Sequence, residues 1–265
     1  MPVVFSFQIE LLRASRSGGT SRGGGARHLP RKDIVKHMDQ QKKRAFKNHL
    51  YEQFARIGKA LSSAHRLELL EVLAQGEHSV EALAQETGMS VANASQHLQV
   101  LRAAQLVEVR REGVYIYYRL ADERVFGLWQ AMREVGEARI AEIERIVQTY
   151  LHERTLLQPI SAAELRQRLI EGDVILLDVR PVEEYQASHL PSALSMPVND
   201  LEARLPELPR EKEIVAYCRG PYCVFADEAV ALLQTNGYNA RRLEQGLPDW
   251  RALGLPVETG TGAQP

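Results

Sequence analysis

The sequence predicts two domains, a mainly α-helical one followed by an α/β domain with a mostly parallel sheet. Three observations support this prediction. The 265 residues exceed the ~100–200 of a typical single domain. Apolar residues recur at helical spacing through the first half, whereas near-continuous apolar strands alternate with helices in the second half. The two cysteines, Cys218 and Cys223, lie together in the second half.

The composition excludes several classes of protein. Hydrophobic residues make up 45% and charged residues 25% of the chain, which is typical of a globular protein and not of a disordered or fibrous one. No apolar run approaches the ~18 residues of a membrane helix, so we expect a cytoplasmic protein that does not contact a membrane. Two cysteines are too few for a disulfide-stapled secreted fold or a zinc finger. The net charge of −1 conceals a basic segment 1–37 and an acidic segment 151–265.

Residues 1–37 have neither a helical nor a strand period, and they include a Gly/Ser-rich run at 17–25. We predict a disordered or mis-annotated extension. Three interpretations stay open: translation that truly starts at Met38, a basic arm that touches DNA phosphates, and a transit peptide.

The next segment predicts four helices. They cover about residues 42–61, 64–73, 80–86 and 91–104. Ser63 and Ser79 are the predicted N-caps of the second and third helices. The turn 88–90 contains a glycine and joins the third helix to the fourth. A short helix, a tight turn and a second helix form the helix-turn-helix pattern of DNA-binding proteins.

The fourth helix has two different faces. The predicted buried face repeats every three or four residues and consists of Val91, Ala94, Leu98 and Leu101. The opposite face and its flanks carry uncharged polar side chains that suit adenine edges in the major groove. The predicted DNA-binding residues of this helix are Asn93, Ser95, Gln96, His97 and Gln99. An ordinary solvent-exposed face is the alternative.

Residues 106–120 alternate apolar and polar side chains around a turn at 111–113, which predicts a β-hairpin. A hairpin directly after a recognition helix is a wing, and we expect its Arg110 and Arg111 to contact phosphate or the minor groove. A solvated hairpin tip is the alternative.

A single last helix is predicted for residues 122–150. Its apolar stripe is too long for a small domain to bury alone, so we predict a homodimer that pairs through this helix. The stripe consists of Val125, Phe126, Trp129, Met132, Val135, Ile143, Val147 and Tyr150.

The runs Ala64–Leu70 and Ser90–Leu98 resemble those of the ArsR/SmtB family of bacterial winged-helix repressors over about residues 45–125. The resemblance implies a dimer that binds operator DNA, in a family that often senses metals. The sensing cysteines of such regulators are absent, because no cysteine precedes Cys218. We therefore predict no metal and no cofactor.

The second half predicts an open α/β sheet. Helices are expected at about 162–169 and 224–236, helical turns at 182–186 and 201–205, and strands at 174–179, 214–217 and 242–243. Functional groups in such sheets lie beyond the carboxyl ends of strands. Cys218 directly follows a strand there and opens the loop Cys218–Cys223, which leads into a helix.

We expect the amides and dipole of that helix to lower the pKa of the Cys218 thiol. The cation of Arg219 would recruit an anionic substrate. A structural buried cysteine is the alternative.

The segments Leu177–Pro181 and His189–Ala193 resemble the first signature of rhodanese domains, and Gly246–Trp250 with Gly254–Val257 resembles the last one. The resemblance covers about residues 158–260. It implies that Cys218 attacks a sulfane donor and that Asp178 and Arg180 order the loop, with a surface ion pair as the alternative for these two. It also implies a persulfide cradle made by the backbone amides of Arg219, Gly220, Tyr222, Cys223 and Val224.

The sequence departs from the rhodanese pattern at a few positions. Ser188 and Ser192 stand where glycine is frequent. The position of the phosphate-binding arginine of related phosphatases is Val224, which disfavours phosphate or arsenate chemistry. Cys223 would share a sulfur with Cys218 or close a disulfide with it, and a buried small residue is its alternative role.

The expected organisation is an extension 1–37, a winged helix-turn-helix domain 38–150, a linker 151–157 and a rhodanese domain 158–262. The expected function is transcription regulation with sulfur as the input, in which a persulfide at Cys218, or its passage to Cys223, changes the dimer and its DNA affinity. Two alternatives stay open: a working sulfurtransferase that is merely tethered to DNA, and an inactive rhodanese used as an interaction module.

Overall fold

The computed structural model describes residues 39–151 and 157–260, which we call the N-terminal and C-terminal domains. The predictions for residues 1–37, for positions 152–156 of the linker and for positions 261–262 lie outside the described residues.

The helices of the N-terminal domain are α1 Gln40–Leu61, α2 Ala64–Leu73, α3 Val80–Glu86, α4 Val91–Ala103, α5 Glu123–Arg139 and α6 Ala141–Tyr150. Helices α3 and α4 confirm the helix-turn-helix. The hydroxyl of Ser79 caps α3 by accepting from the amide of Ala82, and Ser90 caps α4 in the same way. The prediction that Ser63 caps α2 through its side chain is wrong, because that side chain makes no capping hydrogen bond.

The strands of this domain are β1 His78–Ser79, β2 Val107–Glu112 and β3 Tyr115–Leu120, in the sheet order β1-β3-β2. The predicted hairpin is confirmed, but its turn lies later than expected. Glu112 still pairs with Tyr115, and the chain reverses at Gly113, whose φ of +59° suits a residue without a side chain. Arg111 therefore belongs to the strand and not to the turn.

The core of the N-terminal domain lies between α2, α3, α4 and the hairpin. Its fully buried members include Leu69, Leu83, Leu98 and Leu101. The predicted burial of Val91 is wrong, since 48% of this residue is exposed. It occupies the first position of α4, next to the exposed Ser90 and Ala92, where no other element covers it.

The expected single helix 122–150 is two helices. The chain leaves the helical conformation at Ile140, with φ −110° and ψ 91°, and this residue separates α5 from α6. A Cβ on Gly136 would stand 3.1 Å from the side chain of Ile143, so the glycine leaves the space into which α6 packs back on α5.

The elements of the C-terminal domain are α7 Ala162–Glu171, β4 Val174–Asp178, α8 Val182–Ala187, β5 Leu194–Ser195, α9 Leu201–Arg204, β6 Glu213–Tyr217, α10 Phe225–Thr235, β7 Ala240–Arg242 and α11 Leu247–Ala252. The sheet has the order β5-β4-β6-β7 and is parallel throughout, which confirms the predicted fold class. Neither β5 nor α11 was predicted from the pattern of residues.

The sheet register brings two predicted site residues to one edge. Asp178, the last residue of β4, pairs with Tyr217, the last residue of β6, and Cys218 follows directly. Apolar side chains cover both faces of the sheet, so the central strands β4 and β6 are buried almost completely. No described helix is long and apolar enough to cross a membrane.

Candidate functional site

A buried charge network occupies the carboxyl end of β4 and β6. The carboxylate of Asp178 accepts a hydrogen bond of 2.6 Å from the hydroxyl of Tyr217 and one of 2.6 Å from Nη2 of Arg180. Both charged side chains are 0% exposed, which excludes the surface ion pair that the sequence had left open. Arg180 also donates to the carbonyl of Ser188. Because buried ions need several partners, this network fixes the strand end from which the cysteine loop departs.

One partner of that network comes from the other domain. Gln75, in the turn after α2, is completely buried. Its Oε1 accepts from Nη1 of Arg180 at 3.0 Å, and its Nε2 donates to the carbonyl of Arg219 at 3.2 Å. A single side-chain amide of the N-terminal domain therefore joins the β4 end to the backbone of the cysteine loop.

The two thiols lie in one loop, but their environments differ. Cys218 is 2% exposed, and its thiol lies 3.6 Å from the carbonyl of Cys223. Burial, together with the hydrogen bond it donates to the Cys223 sulfur, raises the pKa of Cys218 well above its ordinary value. That same hydrogen bond is the main reason why the pKa of Cys223 is lowered. The predicted lowering of the Cys218 pKa is thus wrong, because desolvation outweighs the effect of the nearby helix.

Backbone amides do point at the sulfurs, but most are not the predicted ones. The amides of Arg219 and Phe225 hydrogen-bond to the Cys223 sulfur, and that of Ala226 to the Cys218 sulfur. Phe225 and Ala226 open α10, so first-turn amides of a helix supply these bonds as expected. The amide of Cys223 itself donates to the carbonyl of Gly220 within the loop. Of the predicted cradle, the amide of Arg219 contacts a sulfur, while Gly220, Tyr222 and Val224 lie along the same loop.

The guanidinium of Arg219 is held by two carboxylates. It lies 2.5 Å from Glu184 of α8 and 2.7 Å from Glu86 of α3, and 12% of its side chain is exposed. Glu86 is the last residue of the helix that precedes the recognition helix. A cation already paired twice is poorly placed to attract an anion, so the structure does not support the predicted recruiting role.

Further contacts tie the loop to both domains. The hydroxyl of Tyr222 donates to Glu137 of α5 at 2.5 Å, and Arg133 of α5 pairs with Asp249 of α11 at 2.5 Å. A Cβ on Gly246 would overlap the carbonyl of Arg219, so this glycine permits a close approach of the α11 N-terminus to the loop.

The predicted DNA-reading side chains lie along α4 with different exposures. Gln96 and Gln99 are exposed, and Gln99 donates to the hydroxyl of Tyr118 at 3.2 Å. Asn93, Ser95 and His97 are half-buried. Burial and the neighbouring His65 lower the pKa of His97, which favours its uncharged ring.

The wing arginines differ from each other. Arg110 lies 2.6 Å from Glu77 and 2.5 Å from Glu112, and its guanidinium covers the ring of Tyr117 at 4.5 Å. Arg111 is exposed on the hairpin. The structure therefore presents Arg111 to solvent, whereas Arg110 has to exchange carboxylate partners before it can bind phosphate.

Helices α5 and α6 expose large apolar side chains. Val135 is 63%, Ile140 52%, Ile146 50% and Tyr150 79% exposed. Trp129 lines an apolar cavity of about 590 Å³ between the two helices. Of the apolar stripe predicted from the sequence, Val135 and Tyr150 are exposed here, whereas Val125 and Phe126 are buried within the chain.

Sequence reasoning missed Gln75, Glu86 and the amides of Phe225 and Ala226. Gln75 directly follows the apolar run Val72–Ala74, and this continuity with buried residues is the one signal that could have identified it. A fully buried glutamine is unusual. Glu86 gave no signal, because a glutamate at a helix end is ordinary.

Comparisons with known proteins agree with both halves of the chain. A model of rhodanese-like domains matches residues 161–253, and one of helix-turn-helix domains matches residues 61–110. The HTH-type transcriptional regulator Rv0324 of Mycobacterium tuberculosis is 45% identical over 211 residues, which are 80% of this chain and 92% of that protein. A sulfurtransferase of Allochromatium vinosum is 31% identical over 109 residues, 40% of this chain and 100% of that protein.

Among solved structures, the homodimeric winged helix-turn-helix DNA-binding domain of a possible ArsR-family regulator from Mycobacterium bovis is similar to this chain. It is 42% identical, covers 40% of this chain and 93% of its own, and has a TM-score of 0.35.

Proposed function

The chain belongs to the ArsR-type helix-turn-helix transcriptional regulators with a C-terminal rhodanese-like domain, and from this premise we propose that sulfane sulfur is its input. Sulfur taken up by the Cys218–Cys223 loop changes the affinity of the protein for its operator in the cytoplasm. One observation carries this proposal: the backbone and side chains of that loop bond directly to Gln75, Glu86 and Glu137 of the DNA-binding domain. A chemical change in the loop therefore alters contacts between the loop and the DNA-binding domain.

On this proposal residues 38–150 bind DNA and residues 158–262 bind sulfur. The outward side chains of α4, above all Gln96, read bases in the major groove, with Asn93, Ser95, His97 and Gln99 beside it. Arg111 contacts phosphate from the wing.

A second copy of the chain covers the exposed apolar side chains of α5 and α6. Each of these side chains gains by leaving water, and two-fold symmetric pairing suits an operator with two half-sites. We expect Val135→Glu to weaken the dimer at least tenfold in sedimentation velocity. Glu134→Gln, an exposed change beside it, is the control and should leave the dimer unchanged.

Cys223 is the more exposed of the two thiols and its pKa is lowered, which favours it as the one that first meets a donor, with the buried Cys218 behind it. This revises the sequence-based expectation that Cys218 attacks first. A persulfide on Cys223 lies against the Cys218 thiol that donates to it, so the sulfur passes between the two thiols without leaving the loop.

The test is DNA affinity of the full chain, measured on its own upstream region at one fixed salt concentration. The reduced protein is compared with protein treated with a sulfane donor, and the Cys218→Ser/Cys223→Ser double variant receives the same treatment as the control. We expect a shift of at least tenfold in the native chain, about 1.4 kcal/mol of coupling, and none in the double variant.

The other functions give different results. Thiocyanate formation at enzyme-like rates with no change in DNA affinity would establish a sulfurtransferase that is only tethered to DNA. A chain that gains no sulfur mass from any donor would be an interaction module, and the proposal would be wrong.

A further inference from the structure

A small pocket of about 230 Å³ opens where the cysteine loop meets helices α2 and α3. Cys223 lines this pocket, whereas Cys218 is buried behind it. The other wall belongs to the N-terminal domain and contains three carboxylates, those of Glu68, Glu71 and Glu86. A donor that approaches Cys223 by this route therefore passes a surface made by the DNA-binding domain.

The charge of this pocket is negative. Arg219 is the cation among its lining residues, and Glu86 and Glu184 already hold that guanidinium. Glu68 and Glu71 stand one helical turn apart on the wall and add two further carboxylates.

A second cation acts on the wall from α5. Burial raises the pKa of Glu71 and Arg133 lowers it, and the guanidinium of Arg133 is itself bound to Asp249 at 2.5 Å. Inside a narrow pocket with protein on both sides, charges act more strongly than in open water.

We propose that these glutamates select the sulfur donor: the pocket accepts sulfane donors that are uncharged near the reacting sulfur and discriminates against anions such as thiosulfate. The inference rests on the proposed function and names its substrate class. It also replaces the anionic donor expected from the sequence, because the arginine assigned to recruit it is neutralised while carboxylates line the entrance.

The reaction with such a donor is balanced without an external oxidant. The Cys223 thiolate attacks the outer sulfur of a hydropersulfide R–S–SH and forms a new S–S bond. The S–S bond of the donor breaks, and its electron pair leaves with R–S⁻, which takes a proton from water. Cys223 then carries –S–SH, and the donor has become a thiol.

The test uses pairs of reagents that differ in one charge. N-acetylcysteine hydropersulfide carries a carboxylate that its carboxamide lacks; iodoacetate and iodoacetamide form a second such pair that needs no sulfur chemistry. Rates with the reduced full chain are read from intact mass and divided by the rate of each reagent with a free small thiol. We expect the carboxamide to react at least tenfold faster than the carboxylate in both pairs, and 0.5 M salt to lower this ratio of rates.

The decisive variant is Glu68→Gln/Glu71→Gln, which removes two charges and leaves Glu86 in its ion pair. In this variant the rate of the carboxamide reagent should be at most three times that of the carboxylate reagent, because the carboxylate reagent reacts faster than with the native chain. Glu81→Gln, an exposed change on α3 outside the pocket, is the control and should keep the native ratio. Equal rates of the two reagents in the native chain, or a ratio that survives both the variant and high salt, overturn the inference.

The two pairs separate this inference from the proposed function. Selective alkylation without sulfur uptake means that the pocket filters charge but that sulfur is not the input. Sulfur uptake at equal rates from both hydropersulfides means that sulfur is the input but that the glutamates do not select it.

Discussion

Replacement of Gln75 by methionine should weaken the connection between the two domains. The side chain keeps its length but loses both the acceptor for Nη1 of Arg180 and the donor to the carbonyl of Arg219. Gln75 and Arg180 are completely buried, so water cannot substitute for the lost bonds. Each buried polar group left without its partner costs about 1–3 kcal/mol. Two such groups are left, so we expect a loss of about 2–6 kcal/mol in the free energy of unfolding.

The two tryptophans allow this loss to be measured in each domain separately. Trp129 lies on α5 and Trp250 on α11, and they are the two tryptophans of the chain. Single-tryptophan versions, made by Trp129→Phe and Trp250→Phe, report the urea unfolding of the C-terminal and N-terminal domains respectively. The two transitions should coincide when Gln75 is present and should separate in the Gln75→Met background.

Gln85→Met is the matched control, because this glutamine is exposed on α3. Such a surface change should alter stability by less than about 0.5 kcal/mol. If Gln75→Met behaves like Gln85→Met and the two transitions still coincide, the hydrogen bonds of Gln75 do not connect the domains, and the argument for transmission through them fails.

Three further changes have defined outcomes. Gly246→Ala places a methyl group on the Arg219 carbonyl and should cost about 1–3 kcal/mol in thermal unfolding, a result that an undisturbed melting curve would contradict. Iodoacetamide should label Cys223 at lower pH than Cys218, because a lowered pKa gives thiolate at lower pH. The extent of labelling of each cysteine is read from peptide masses after reaction at a series of pH values, and the reverse order would refute the assignment. Glu77→Gln releases one carboxylate from the wing arginine and should tighten non-specific DNA binding, with a slope of log K against log salt steeper by up to about 1; an unchanged slope would mean that this arginine stays away from DNA.

Local patterns in the sequence predicted most of the fold. The period of α4, the alternation in the hairpin and the apolar runs of β4 and β6 each depend on neighbours in the chain. The break at Ile140 was not predictable, because it depends on how Ile143 fits against the bare backbone of Gly136, and the apolar stripe runs through both helices.

The position of the cysteine loop could be predicted from the sequence, but the surroundings of its two thiols could not. The end of a parallel strand before a helix located both cysteines, and the helix amides do reach the sulfurs. The direction in which the Cys218 pKa shifts depends on burial by residues far along the chain, and no local sequence pattern contains that information. The same holds for Gln75, whose partner Arg180 is 105 positions away.

The ion pair between Arg219 and Glu86 connects the cysteine loop to the end of α3, directly before the recognition helix. Glu86 ends α3, and the short turn after it leads into α4, a helix of 13 residues and therefore about 20 Å long. A rotation of roughly 10° at that turn moves the far end of such a helix by about 3.5 Å, more than the length of a hydrogen bond. On the proposed function, a sulfur atom added to the loop therefore needs to rotate the end of α3 only slightly, because the displacement grows along the length of the recognition helix.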